Sequence, residues 1–263
     1  MNKTKSLWAT MSVVCVVSIT ACAGEGEAST NAWQAGQAPV EEEKPELGAP
    51  ALPEGLLTQV IGQGVPRVVA EAAFMKYEEF RGAIENPRYI SMIDFDRHSS
   101  ENRLWMVDVS TGQVDALPIA HGAGSDPDND GYADRFSNVP NSRKSSLGAY
   151  LIAERYIGKY GQSLRLDGLE SSNDLARPRA IVLHPARYVE EGNSKQGRSW
   201  GCPAVPFGWI QRVIDRLRDK SFMYAFASLN RTSWQEDRLT MKGMLENPAA
   251  WLGEASQAPV EGE

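Results

Sequence analysis

The sequence predicts a mainly β fold with a few helices, its sheet closed on itself or sandwiched, in a single domain. Three observations predict it. Short apolar runs rich in β-branched and aromatic residues recur at residues 89–95, 104–109 and 114–120, the texture of half-buried or buried strands. Polar turns separate them, Ser99-Ser100-Glu101-Asn102 and Ser110-Thr111-Gly112-Gln113, so the three runs form a meander. Helical spacing of apolar residues, by contrast, is confined to two stretches.

Taken in order, residues 1–21 read as an export leader, with Lys3 and Lys5 ahead of an apolar or small-residue run over 7–21. That run is too short to span a bilayer. It ends in Ile19-Thr20-Ala21-Cys22, which resembles a bacterial lipobox, so Cys22 is expected to take a lipid and Ala23 after it points to the outer membrane. Residues 23–55 hold seven Glu, one Lys and almost no large aliphatic side chain. Such a segment buries too little surface to offset its ordering entropy and is expected to be a flexible tether. The folded domain is expected over 66–230, and residues 231–263 are expected to form an extension with a tail-like end.

Within the domain, Val69, Ala73, Tyr77 and Phe80 lie on one face of an opening helix over 66–82. Residues 122–146 are mostly Gly, Ser, Asp, Asn and Pro, a long loop of the kind that often carries function. Strands resume at 149–157 and at 180–183, the latter ending on His184. A helix follows with Pro206 near its first turn and Ile210, Val213, Ile214 and Leu217 on one face, and residues 222–227 make a last strand. No internal repeat is visible.

The formal charge is −7, and loss of Lys3 and Lys5 with the leader would make it −9. Much of that acidity sits in the tether, and no basic stripe interleaved with aromatics is present, so a nucleic-acid partner is not expected. Cysteine usage says more. Cys15 leaves with the leader and Cys22 would be lipidated, leaving Cys202 alone in the domain. A disulfide framework is excluded, and a solitary thiol in an oxidising compartment is either buried and inert or used.

The segment from His184 to Cys202 sets an imidazole at a strand end and a thiol eighteen positions on, after a polar loop containing Gly197 and Gly201. A free thiol is only a few per cent ionised near neutrality; an adjacent imidazole takes its proton and is expected to hold the sulfur as thiolate. Gly201 allows close approach of backbone to substrate and can offer its N–H where an acyl oxyanion develops.

Ser199-Trp200-Gly201-Cys202-Pro203-Ala204, fifteen positions after His184, resembles the signature of L,D-transpeptidase catalytic domains. It is most similar to the branch with Trp-Gly-Cys-Pro in place of His-Gly-Cys. Ile93-Asp94-Phe95, His121-Gly122, Ser145-Ser146-Leu147-Gly148 and the segment around Ser163-Leu164-Arg165-Leu166 fall in the same order as in that family. The resemblance covers about residues 70 to 228.

The resemblance implies acyl transfer without a required cofactor. Cys202 attacks a carbonyl of a peptidoglycan stem peptide, His184 is the base, and the backbone carbonyl of Pro185 orients its ring. It also implies that Ser199, Trp200, His121, Ser145 and Ser146 line the substrate site. Pro185 departs from the usual glycine. An amine or water would resolve the thioester, so transpeptidase and carboxypeptidase outcomes stay open, beside a tethered wall-binding lipoprotein that does not turn over. A papain-like peptidase is disfavoured because there the Cys precedes the His. Asp126, Asp128, Asp130 and Asp134 alternate before and after Gly131 like a calcium loop, but Ser137 stands where the bidentate Glu would. A solvated acidic turn is the alternative.

Overall fold

The structure, a computed structural model, describes residues 48–228. The expected leader, lipobox, Cys22, most of the tether and nearly all of the C-terminal extension lie outside the described residues. Helices α1 (Leu56–Gly62) and α2 (Arg67–Phe80) are followed by β1 (Tyr89–Asp94), β2 (Leu104–Asp108) and β3 (Val114–Leu117). Then come β4 (Gly148–Gly158), β5 (Gly161–Gly168), β6 (Val182–Ala186), β7 (Ala204–Pro206), α3 (Ile210–Leu217) and β8 (Ser221–Phe226).

The strands form one sheet in the order β3-β2-β1-β8-β4-β5-β6-β7. A bridge between Ala120 and Ala204, with the Ala120 N–H 2.8 Å from the Ala204 carbonyl, brings the two edges together and nearly closes it. Side chains alternate between two cores, as the two-residue period of a strand requires. Ile90, Met92, Trp105, Val107, Ala149, Leu151 and Phe222 face α1 and α2, where Tyr77 meets Phe222 edge-on with ring centroids 5.8 Å apart. Ile93, Met106, Tyr150, Ile152, Leu166, Leu183 and Val205 face inward with Val213, Ile214 and Leu217 of α3. Because both faces are buried, the strands read as continuous apolar runs.

Two features of the sheet position the site. β6 and β7 are parallel, pairing His184 with Ala204 and Ala186 with Pro206. Parallel neighbours need a long crossover, here residues 187–203. The second feature is a register shift between Ile152 and Arg155 in the β4–β5 hairpin. A bulge of this kind bends a strand pair, and the hairpin tip carries Tyr160 onto the His184 ring at 4.5 Å.

The structure corrects several expectations. His184 lies in the middle of β6, not at a strand end, and β5, β7 and α1 are additional elements. Residues 48–55 are not tether. Ala49 is buried, its N–H bonded to the Arg81 carbonyl at 2.9 Å, and Tyr77 Oη donates to the Pro50 carbonyl at 3.2 Å. Small residues fit there because the chain runs close against Arg81 and Gly82, where a Cβ on Gly48 would stand 2.7 Å from Gly82 Cα; composition alone registers only the lack of bulk.

Candidate active site

His184 is 1 % exposed, and its Nδ1 lies 3.0 Å from the Pro185 carbonyl. A carbonyl only accepts, so Nδ1 carries the proton and Nε2 keeps its lone pair. Burial pushes the imidazole below its ordinary value, against a smaller opposing effect of the Pro185 hydrogen bond. The resting ring is a neutral base. Tyr160 stacks on one of its faces, fixing the ring plane.

Cys202 is half-buried. Its Sγ lies 3.8 Å from the carbonyl of Ala180, to which the thiol donates. Ala180 holds φ at 55°, a left-handed conformation that is unusual for a residue with a Cβ and clusters at functional sites. Burial raises the thiol above its ordinary value, offset in part by the Val182 backbone and the Arg179 charge. Cys202 packs against the inner core and stands two residues before Ala204, the β7 partner of His184. The resting pair is therefore thiol and neutral imidazole, and not the preformed thiolate expected from the sequence.

The turn before Cys202 is held by Ser199. Its Oγ accepts the Gly201 N–H at 3.1 Å and donates to the Cys202 carbonyl at 2.6 Å. Gly201, expected as an oxyanion donor, thus has its N–H engaged within the loop. Its φ is +119°, and a Cβ there would stand 2.9 Å from the Lys144 carbonyl. Trp200 is 47 % exposed, with the Arg143 guanidinium 4.4 Å from its ring centre.

His121, Ser145 and Ser146 were expected in the substrate site, and Ser145 and Ser146 line a small cavity beside Gly201 and Pro203. All three are buried. Arg103 donates to His121 Nδ1 at 2.8 Å, and His121 Nε2–H donates to Asp126 Oδ2 at 3.1 Å. The His121 backbone carbonyl accepts the Ser199 N–H at 2.9 Å, so this buried relay braces the loop before Cys202 from behind. Ser145 Oγ accepts the Gly122 N–H at 3.0 Å and donates to the Gly201 carbonyl at 3.1 Å. Ser146 Oγ lies 2.9 Å from Tyr150 Oη and accepts from Arg179 at 3.1 Å. Arg103, Arg179, Ala180 and Tyr160 were not singled out from sequence. Nothing in a lone arginine before a strand or a tyrosine at a hairpin tip marks it.

The relay has a pH consequence. Burial and the Arg103 charge push His121 down to about 2 from its ordinary 6.5. The unfolded chain takes up that proton first, so the group's contribution is intact above pH 6.5 and is lost as pH falls below it. The expected loss is about 1.4 kcal/mol per pH unit, or about 2 kcal/mol by pH 5. Urea unfolding at pH 7 and pH 5 would show it, and a His121→Asn variant should flatten that dependence.

Asp126, Asp128 and Asp130 each bring one carboxylate oxygen within 4.8 Å of the others. Both Asp126 oxygens already accept protons, Oδ1 from the Asp130 N–H at 3.0 Å and Oδ2 from the Gly131 N–H at 3.1 Å and from His121. Asp130 Oδ1 accepts the Tyr132 N–H at 2.9 Å. These bonds give Asp126 and Asp130 a part in the turn. Asp134 stands outside the cluster.

Several solved structures are similar in part. An L,D-transpeptidase from Mycobacterium smegmatis aligns with TM-score 0.35 and 10 % identity over 53 % of this chain and 59 % of its own. Bdellovibrio bacteriovorus Bd1075 aligns with TM-score 0.34 and 17 % identity over 60 % of this chain and 56 % of its own. An L,D-transpeptidase from Mycobacterium tuberculosis H37Rv aligns with TM-score 0.36 and 9 % identity, over 53 % and 58 %. The chain thus spans under two thirds of the length of these structures. No curated protein matches it. A family model described as the L,D-transpeptidase catalytic domain matches residues 47–226, about two thirds of the sequence and every strand of the sheet. The chain belongs to the L,D-transpeptidase catalytic-domain family.

Proposed function

We propose that the chain is a cysteine acyltransferase acting on peptidoglycan stem peptides, with Cys202 as nucleophile and His184 as general base. The observation that carries this reading is the pairing of His184 with Ala204, with Nδ1 tied to the Pro185 carbonyl. The lone pair of Nε2 is then free, and Cys202 stands two residues before the strand partner of His184. As sulfur bonds to the donor carbonyl carbon, Nε2 takes the thiol proton, which matches two neutral resting groups. The imidazolium then returns that proton to the departing amine, leaving a thioester on Cys202. A second amine, or water, attacks the thioester while Nε2 takes its proton, and the thiol is restored. The oxyanion is held by the Cys202 N–H, joined by that of Gly201 once it turns from Ser199.

The N-terminal features extend the reading to an exported protein, lipid-anchored through Cys22 and facing the periplasm. Purified protein incubated with defined disaccharide peptides, beside Cys202→Ala, tests the chemistry by mass spectrometry. Cross-linked dimers or shortened stems are expected only from the wild type, and they separate transfer to an amine from transfer to water. Unchanged substrate with both proteins would instead indicate a wall-binding module.

A further inference from the structure

Cations lie over aromatic rings at several places in the molecule, and around most of the sheet those cations are already neutralised. Lys76 over Phe80 is paired with Glu79 and Glu170, Arg97 over Trp105 with Glu101, and Arg165 over Tyr156 with Glu154. Arg88 is paired with Asp108, and Arg212 and Arg216 with Asp115. Buried Arg103 over Phe95 is bound to the Ile119 and Arg97 carbonyls and to His121.

Three pairs differ: Arg143 over Trp200 at 4.4 Å, Lys159 over Tyr160 at 5.5 Å and Arg187 over Phe207 at 5.4 Å. None of these cations has a carboxylate partner among the described residues, and all three rings are exposed, Trp200 47 %, Tyr160 49 % and Phe207 53 %. Their positions are shared too. Trp200 is two residues before Cys202, and Tyr160 is the ring stacked on His184. Arg187 and Phe207 follow directly on Ala186 and Pro206, which pair at the end of β6 and β7. In a chain of formal charge −7, these three cation–ring pairs without an acid all stand on residues next to His184, Cys202 or the paired ends of β6 and β7. The acid nearest in sequence to Arg187 that makes a side-chain bond there, Glu191, accepts from Trp209 Nε1 at 2.9 Å.

Arg143 is the most constrained of the three. It holds φ at 55°, and its carbonyl accepts the Gly124 N–H at 2.8 Å. A Cβ on Gly122 would meet both that carbonyl and Gly201, at 2.3 and 2.6 Å, so the Arg143 backbone packs on the turn that carries the nucleophile. A ring engages a guanidinium through its face and takes none of its hydrogen bonds, leaving the N–H fork for a planar anion.

We propose that Arg143, with Arg187 and Lys159, forms a carboxylate-recognition ring that selects acyl donors bearing a free carboxylate beside the reacting carbonyl, with Trp200 as its platform. The proposal rests on the reading of Cys202 as the accessible nucleophile. Charge-assisted, bidentate contacts of this kind confer geometric specificity as well as attraction.

The test compares alkylation of Cys202 in the full chain by iodoacetate and iodoacetamide, reagents of similar size that differ in charge, read by intact mass. The wild type should favour iodoacetate relative to glutathione, and Arg143→Gln should lower that preference about 10-fold. Arg187→Gln and Lys159→Gln, both at ordinary backbone positions, should lower it by smaller factors and serve if the Arg143 variant does not fold. With stem peptides, Arg143→Gln should raise KM for the free acid about 10-fold, with kcat and the KM for the amidated peptide little changed. An unaltered reagent preference in all three variants, with iodoacetamide still labelling Cys202, would overturn the proposal and leave the nucleophile standing. Failure of both reagents to label Cys202 would overturn both.

Discussion

A His184→Gln variant should acylate about 10³-fold more slowly than the wild type while remaining folded. Glutamine can still donate to the Pro185 carbonyl in place of Nδ1–H, which lies 3.0 Å away, so the local scaffold keeps its bond while the base is lost. The residual rate should climb with pH past the ordinary thiol value of 9.0, because burial holds the Cys202 proton beyond that point. In the wild type the acid limb of kcat/KM should have its midpoint below 6.5, since burial depresses the imidazole and it stays unprotonated further into acid. Thioester formation followed by rapid-quench mass spectrometry, with a melting curve for the variant, gives both readings. A variant at wild-type rate, or an acid midpoint above 6.5, would mean that another group takes the thiol proton.

Gly122→Ala is expected to be the most damaging single methyl in the domain near the site. Gly122 has φ −74°, so alanine meets no backbone penalty; the effect is purely steric. The added carbon would stand 2.3 Å from the Arg143 carbonyl and 2.6 Å from Gly201 Cα. Neither neighbour is the end of a flexible side chain, so the two loops must separate. A cost of about 3 kcal/mol is expected, the upper part of the overpacking range. The loop that moves carries Cys202, and activity should fall with stability. Gly192→Ala is the contrast: it has φ +85° and nothing within 4 Å, so only the left-handed penalty of about 1 kcal/mol applies. Urea midpoints for the two variants decide it; equal losses would show that the packing of Gly122 is not tight.

The strands were legible where both faces are buried, because Ile90, Met92 and Ile93 in β1, interrupted only by Ser91, and the unbroken run Leu104 to Val107 in β2 are apolar. β7 was not, since Ala204–Pro206 is three residues long and contains a proline. It exists because β6 offers an edge and β7 lies at the end of the sheet order, where a missing N–H is tolerated. The sequence expectation ended this strand at His184, whereas β6 runs on through Pro185 to Ala186. The separation of His184 and Cys202, which the sequence presents as a motif, has a geometric origin: two adjacent parallel strands require a crossover of this length. The resemblance placed His121 in the substrate site without indicating its burial; Arg103 and Asp126 satisfy both ring nitrogens and make that burial tolerable. No pattern along the chain brings those three together.

The hydrogen bond from the sulfur to the Ala180 carbonyl also bears on chemical endurance. Peroxides and disulfides react with the ionised form of cysteine and scarcely with the protonated one. If His184 takes the thiol hydrogen only during attack, as proposed, the sulfur offers oxidants little to consume while idle. Its lifetime outside a reducing environment would then be set by the same imidazole proposed to start turnover.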